Sequence, residues 1–418
     1  MHHFQYIDDR LFAENVPVSQ IADAVGTPFY LYSHATLTRH YRVFDQALDG
    51  IARMICFSAK ANSSQAILKL LANQGSGLDI VSGGELYRGL AAGFDPQRIV
   101  YSGVGKRADE IDYALDADIL MFNVESLQEL ALIDERAGRM GKKARVAIRV
   151  NPDVDAQTHP YISTGLKKNK FGIDVPHALQ GYRTAANMAH ILVRGIDCHI
   201  GSQITQAQPF ADALANLIEL VQTLAREQIR IQWLDMGGGL GITYHEEKPP
   251  PPADYAHTLV SALKPTGLKL IVEPGRVIAG NAGILVTRVL YNKATAVKHF
   301  TVVDAGMNDL MRPALYGAFH QIQPAIRRPD RQTVQTDIVG PICESSDFLA
   351  QDRNMPEPRP GDLLAVMSAG AYGYAMASNY CSRLHPAEVM VCGDQFSVIR
   401  ARQQYADLTA GESVPTFI

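Results

Sequence analysis

The chain has 418 residues, 47% hydrophobic and 20% charged, and its 33 glycines and 22 prolines lie near the globular average; disordered, collagenous and low-complexity architectures are excluded. Lys and Arg (39) against Asp and Glu (43) give a net charge of -4, too near balance to supply the basic field that nucleic acid or an anionic membrane attracts. At roughly 150 residues per domain, this length predicts two or three domains.

At the N-terminus, MHHFQYIDDR carries acids where a signal peptide has a charged n-region and an apolar stretch, and no apolar run approaches the roughly 18 residues that span a bilayer. The expectation is a soluble, cytoplasmic protein. Within the first 33 residues, Pro28 and the aromatic run after it predict a strand that joins a later β domain. Between about residues 50 and 276 short β-branched or apolar runs recur, each followed by a helix-like stretch. The predicted strands are RMICFSA (53–59), GLDIVS (77–82), IVYSG (99–103), ILMFNV (119–124), ARVAIRV (144–150), RGIDCHIG (194–201), IQWLDMGG (231–238) and LKLIVEPG (268–275). Several are nearly continuous apolar runs, as parallel strands covered on both faces require, and segments such as SSQAILKLLANQ and VESLQELALIDERAG space apolar residues near 3.6. Eight βα units in about 225 residues match the (β/α)8 barrel, typically about 250 residues long. A doubly wound sheet has the same local rhythm, but the count and the polar residues at strand ends favour the barrel.

HEEKPPPPADY (245–255), with four consecutive prolines, reads as an exposed polyproline loop between the seventh strand and its helix. After Gly280, short alternating runs (ILVTRVLYNKAT, FTVVDAG, TVQTDIVGP, DLLAVMS) predict an all-β domain. The predicted organisation is therefore α/β: an N-terminal segment (1–33) joining the β domain, a (β/α)8 TIM barrel over 34–279, and a C-terminal all-β domain over 280–418. Cys56, Cys198, Cys343, Cys381 and Cys392 are odd in number and scattered, with no C-x-x-C pair, so neither a disulfide framework nor a metal site is indicated.

In a (β/α)8 barrel, catalytic groups sit at the C-terminal ends of strands. The first strand ends in FSAKAN, which puts Lys60 at the mouth. An apolar setting there would favour the neutral amine of Schiff-base chemistry; the alternative is an ordinary snorkelling lysine. The sixth strand ends in CHIGSQ, with His199 and Ser202; a lone histidine in such a place is more often a hydrogen-bonded core residue than a catalyst. The seventh ends in DMGGGLG, where Gly237, Gly238 and Gly239 either let backbone N–H groups approach an anion or simply make a tight turn. A dinucleotide fingerprint fails there, because Ile242 holds the position of its last glycine; a mononucleotide-sized phosphate still fits. The eighth ends in EPGR, where Glu273 and Arg276 follow an apolar run, and a buried carboxyl needs either a cation, with Arg276 the nearest in sequence, or a proton. An amine, an imidazole, an anion site and a carboxyl together match what pyridoxal phosphate requires.

FSAKAN, HIGSQ, DMGGGLGI and EPGR, in this order, resemble the fold-type III pyridoxal-phosphate decarboxylases of basic amino acids, and the likeness runs nearly the full chain. Within that family, GPICESSD (340–347), MRPALYGAFH (311–320) and GAYGYAMASNYCSR (370–383) look like the branch that acts on diaminopimelate. The resemblance implies an alanine-racemase-like barrel followed by a β domain. It implies pyridoxal 5'-phosphate linked to Lys60, His199 stacked on its ring, and Glu273 on its pyridine nitrogen. Ser202, Gly239, Gly275 and Arg276 would surround the phosphate, with Gly238 and Tyr372 also among the cofactor-binding positions. Arg276, Arg312, Tyr316, Glu344 and Tyr372 match substrate-binding positions, and Cys343 matches the proton donor. A homodimer is implied in which the segment with Cys343 and Glu344 completes the partner subunit's site. Two departures are visible: Cys381 stands where the pattern ASNYNSR has asparagine, and the proline loop is richer than usual. Neither touches an implied role.

The implied reaction is decarboxylation of meso-2,6-diaminopimelate to L-lysine, the last step of lysine biosynthesis, with an amino acid as the small-molecule partner and neither nucleic acid nor membrane. Arg276, Arg312 and Glu344 supply both signs for the distal amino acid group, so lysine itself is not expected to react. The rivals are a racemase of the same fold type, a pyridoxal-phosphate decarboxylase of another amino acid, a non-catalytic homologue and, more weakly, a nicotinamide-dependent barrel enzyme. Racemases of this type set an arginine against the pyridine nitrogen, where Glu273 stands here. Intact Lys60, Glu273 and Cys343 argue against a non-catalytic role.

Overall fold

The computed structural model describes residues 2–155 and 170–418 and separates into two units. One comprises Thr38–Thr243 and Glu247–Ile278, the other Met1–Leu37, Tyr244–Glu246 and Ala279–Ile418.

In the first unit eight strands run parallel: Arg53–Ser58, Gly77–Ile80, Ile99–Tyr101, Met121–Val124, Ala144–Asn151, Ile191–Asp197, Trp233–Asp235 and Lys269–Val272. Each pairs with the next, as in Ser58↔Asp79, Phe122↔Val146 and Asp197↔Asp235. The eighth returns to the first through Ile271↔Met54, which closes the sheet. That last pairing decides for the (β/α)8 barrel and against a doubly wound sheet.

Helices Gln65–Asn73, Gly83–Ala92, Ala108–Ala117, Leu127–Arg139, Val175–Asn187, Gln208–Arg226 and Pro252–Leu263 follow the first seven strands. Local chemistry starts them: Ser82 and Ser126 accept the N–H groups of Glu85 and Glu129, three residues on. The loop expected over 245–255 is present over 245–251, but its last four residues are helical. Pro251 is the N-cap and Pro252 the first helical residue, a place where a missing N–H costs nothing and a fixed φ suits the helix.

Side chains fill the barrel in two layers. Met54, Cys56, Val100, Met121, Ala147 and Ile271 form a buried apolar cluster. Two residues beyond Cys56, Val100, Met121, Ala147 and Ile271, and so on the same strand face, come Ser58, Ser102, Asn123, Arg149 and Glu273, all buried. Buried Asp79, Asp197 and Asp235 join them from the second, sixth and seventh strands. The barrel is apolar below and polar at its C-terminal end.

The other unit is a β domain. Gly283–Ala294 pairs antiparallel with His299–Val303, Leu363–Val366 and Phe29–Ser33. Phe29–Ser33 also pairs in parallel with Ala387–Cys392, so it lies between two strands from the far end of the chain. Phe29, Leu31, Ile284, Val286, Val389 and Val391 belong to one buried core. Among the described residues, no helix is long and apolar enough to cross a membrane.

Candidate active site

The first barrel strand ends in a 3-10 turn, Ala59–Ala61, which carries Lys60 out of an apolar run. Lys60 Nζ donates to Asp79 Oδ2 at 2.6 Å; the lysine side chain is 34% exposed and the aspartate 0%. Asp79 stands opposite Ser58 in the sheet, so the register of two neighbouring strands sets the contact. The amine sits in an ion pair, which corrects the apolar setting expected for Lys60; the polar layer of the barrel lies directly beneath it. Ser58 Oγ is 2.7 Å from Asp79 Oδ2 and 2.9 Å from the carbonyl oxygen of Glu273, and its one proton serves either acceptor.

Glu273 lies in that layer. Ser102 Oγ donates to its Oε1 at 2.9 Å, and Asn123 Nδ2 reaches Asp235 Oδ2 at 3.2 Å. Carboxyl oxygens of Asp197, Asp235 and Glu273 fall within 4.8 Å of one another. Three carboxyls so close and so dry cannot all carry charge. Burial, then the charge of Asp79, pushes Glu273 up to about 7. Burial, then Glu273, raises Asp235 and Asp197 well above the usual carboxylate range. The cluster therefore retains protons at neutral pH. Arg149 opposes the rise at Asp197 and is itself paired with Glu125, Nη1 to Oε1, at 2.6 Å. Glu273 thus turns into the barrel, whereas Arg276 Nη2 donates to Ser202 Oγ at 2.9 Å; a proton, more than the neighbouring arginine, is what makes the buried carboxyl tolerable.

His199 follows the sixth strand. Its Nδ1 accepts the N–H of Gly238 at 3.1 Å, which puts the ring proton on Nε2. Burial, then the charges of Arg149 and Lys60, holds its pKa well below the ordinary histidine value, so the ring is neutral at neutral pH. The glycines make room: a Cβ on Gly237 would lie 2.6 Å from His199 Nδ1, and one on Gly238 2.3 Å from the Glu273 carbonyl oxygen. On Gly239, at φ +119°, a Cβ would lie 2.6 Å from the carbonyl oxygen of Gly201. Buried Gly275 leads into the short helix Arg276–Ala279, so Arg276 is held right after the eighth strand.

The barrel unit therefore gathers Lys60, His199, Ser202, Gly238, Gly239, Glu273, Gly275 and Arg276 at the ends of four strands. Sequence reasoning missed Asp79, Ser102, Asn123, Arg149, Asp197 and Asp235. Each lies within a predicted strand, as a polar residue in an otherwise largely apolar run.

In the β domain, Arg312 and Tyr316 bound one helix, Arg312–Tyr316, with Arg312 buried and Tyr316 half-buried. Cys343 and Glu344 are exposed, past the strand Thr333–Val339. Glu344 accepts from Ser346 Oγ at 2.6 Å and from Tyr380 OH at 2.7 Å, and these bonds hold its pKa below the usual carboxylate value. Tyr372 has φ +54°, a left-handed backbone that a side chain adopts at a cost and that concentrates at functional sites.

A family model described as the pyridoxal-dependent decarboxylase, pyridoxal binding domain, matches residues 34–280. Over 414 residues the chain is 52% identical to a diaminopimelate decarboxylase of Pseudomonas aeruginosa, spanning 99% of both proteins. The chain belongs to the diaminopimelate decarboxylase family. Two solved structures of that family agree. Diaminopimelate decarboxylase from Helicobacter pylori, complexed with L-lysine, is 43% identical, with a TM-score of 0.91 over 94% of this chain and 98% of that one. The enzyme from M. jannaschii, in co-complex with L-lysine, is 38% identical, with a TM-score of 0.95 over 100% of both. This member of the diaminopimelate decarboxylase family is thus a pyridoxal-dependent carboxy-lyase, and its barrel fits the cofactor. It offers a primary amine, a neutral flat imidazole, glycines at which a Cβ would collide, an arginine, and a carboxyl that exchanges its proton near neutrality.

Proposed function

We propose that the chain converts meso-2,6-diaminopimelate to L-lysine and carbon dioxide, the last step of lysine biosynthesis, as a cytoplasmic homodimer. The barrel, residues 34–279, holds pyridoxal 5'-phosphate; residues 1–33 and 280–418 form the β domain. The observation that carries this reading is Glu273, a buried carboxyl where the rival racemase needs a cation.

Bound pyridoxal phosphate supplies a sink for the electron pair left when the bond to the departing carboxylate breaks. Lys60 would hold its aldehyde, His199 its ring face, Glu273 its ring nitrogen, and Ser202, Gly239, Gly275 and Arg276 its phosphate, with Gly238 and Tyr372 close by. Asp79 keeps the Lys60 amine at the mouth and balances its charge while it is protonated. Glu273, poised near neutral pH, exchanges a proton with the ring nitrogen at little free-energy cost, and Asp235 and Asp197 hold protons beside it. His199, being neutral, sets no second positive charge against a protonated ring. Cys343 or Lys60 returns a proton to the substrate carbon.

Arg276 and Arg312 take the distal carboxylate and Glu344 the distal ammonium, with Tyr316 and Tyr372 beside them; the lowered pKa of Glu344 keeps it charged for this task. A charge-assisted hydrogen bond is worth about 1.5 to 3 kcal/mol, so a substrate without the distal carboxylate loses on the order of 10-fold to 100-fold per contact. In the homodimer the segment with Cys343 and Glu344 completes the partner subunit's site.

The test offers meso-diaminopimelate and ornithine separately to the cofactor-loaded protein and follows carbon dioxide. Release from diaminopimelate alone is expected. Preference for ornithine would overturn the specificity, and release from neither would leave a non-catalytic homologue.

A further inference from the structure

Arg312 is a cation with only 6% of its surface exposed, so its aim is set by the groups packed on it. We infer that His320 and Tyr244 are positioning residues that fix the direction of Arg312 toward the distal carboxylate of the substrate. The inference rests on the substrate role proposed above for Arg312.

Arg312 Nη1 lies 2.8 Å from His320 Nε2, and His320 Nδ1 lies 2.8 Å from the carbonyl oxygen of Met367. A guanidinium only donates and a carbonyl only accepts. The imidazole, with no exposed surface, must therefore carry its proton on Nδ1 and present the Nε2 lone pair to Arg312. One arrangement satisfies both neighbours, and it is the neutral one.

The second wall of the cradle is Tyr244. The guanidinium carbon lies 4.5 Å from the centroid of its ring, a distance at which a cation is attracted to an aromatic face. The same ring meets the His320 imidazole edge to face, centroids 5.3 Å apart at 79°. The histidine is braced in turn: Arg353 Nη2 donates to its carbonyl oxygen at 3.2 Å, and the Arg353 guanidinium lies 3.6 Å from the Phe319 ring centroid.

The neutrality of both partners is the functional point. A carboxylate in place of His320 would orient Arg312 equally well, but it would cancel the charge that the substrate has to find. An imidazole lone pair and an aromatic face hold the guanidinium still and themselves cancel none of its charge.

The test compares holoenzyme variants His320→Leu, His320→Gln, Tyr244→Leu and Arg312→Lys. It reads KM and kcat for meso-diaminopimelate and the calorimetric affinity for L-lysine, which keeps the distal carboxylate. The visible spectrum of bound cofactor and the melting temperature report that site and fold are intact. His320→Leu and Tyr244→Leu are expected to raise KM and weaken lysine binding by about 10-fold to 100-fold, with kcat within about threefold. His320→Gln, which restores a neutral acceptor, should recover most of that loss. If Arg312→Lys leaves KM and lysine affinity unchanged, the substrate role of Arg312 fails. If Arg312→Lys weakens both while His320→Leu and Tyr244→Leu do not, or if Gln does no better than Leu at position 320, the positioning role fails. Should His320→Leu not fold, the Gln and Tyr244→Leu arms decide: an unchanged KM in Tyr244→Leu, or a Gln variant as weak as Arg312→Lys, overturns the inference.

Discussion

Lys60 Nζ lies 2.6 Å from Oδ2 of Asp79, a carboxyl with no exposed surface. Removing the amine alone strands that carboxylate without its cation. Lys60→Ala is therefore expected to lose the borohydride-reducible visible chromophore and to melt at a lower temperature. Adding Asp79→Asn should restore much of the melting temperature and none of the chromophore. Spectra before and after borohydride, with melts of all three proteins, check both halves; a chromophore that survives in Lys60→Ala rules out Lys60 as the anchor.

Glu273 titrates at about 7 in the folded barrel, raised by burial and by Asp79 from an ordinary value of 4.5. Between those values the folded protein keeps a proton that the unfolded chain has released. The stability due to this group is thus complete below 4.5 and is lost as pH rises through about 7. Glu273→Gln cannot titrate, so cofactor-free protein carrying it should lose less stability than the parent on going from about pH 4.5 to about pH 8. Denaturant midpoints across that range measure the difference, and parallel curves for the two proteins would contradict the buried-proton account.

Arg149 and Glu125 face each other at 2.6 Å with side chains 8% and 3% exposed. Glu125→Gln takes from a buried guanidinium the carboxylate it is hydrogen-bonded to, which costs about 3 to 5 kcal/mol in comparable cases. Chemical denaturation should show a lower midpoint with an unchanged slope. A loss below about 1 kcal/mol, the range of exposed pairs, would mean that water reaches the pair.

A methyl group on Gly238 would stand 2.3 Å from the carbonyl oxygen of Glu273, backbone that cannot rotate away. Gly238→Ala is expected to weaken cofactor binding by at least about tenfold by displacing the eighth-strand end. Gly105→Ala, where a Cβ meets nothing within 4 Å, serves as the neutral control. Titration of cofactor-free protein with pyridoxal phosphate reads both, and equal affinities would show that the seventh and eighth strand ends can part without harm.

The barrel was readable in advance because parallel strands buried on both faces demand near-continuous apolar runs, and RMICFS, IVY and KLIV are such runs. Lys60, His199 and Glu273 stood out for the opposite reason, as polar groups just past those runs. Asp79, Asn123 and Asp235 did not stand out, because one polar residue in a short strand has many ordinary explanations. The helix start at Pro252 was hidden for a similar reason: a proline run looks the same whether it stays extended or its last member opens a helix.

Chain order alone carried the eight βα units, the β-rich remainder and the family likeness, since each depends on patterns that lie close together along the polypeptide. Closure of the barrel decided that the Lys60 amine is paired, that Glu273 has Asp235 and Asp197 for neighbours, and that His199 is neutral. Packing within the β domain decided that Arg312 lies between His320 and Tyr244. Charge state and aim depend on distance and on exclusion of water, and both come into being only when residues remote in sequence are brought within a few ångströms of one another.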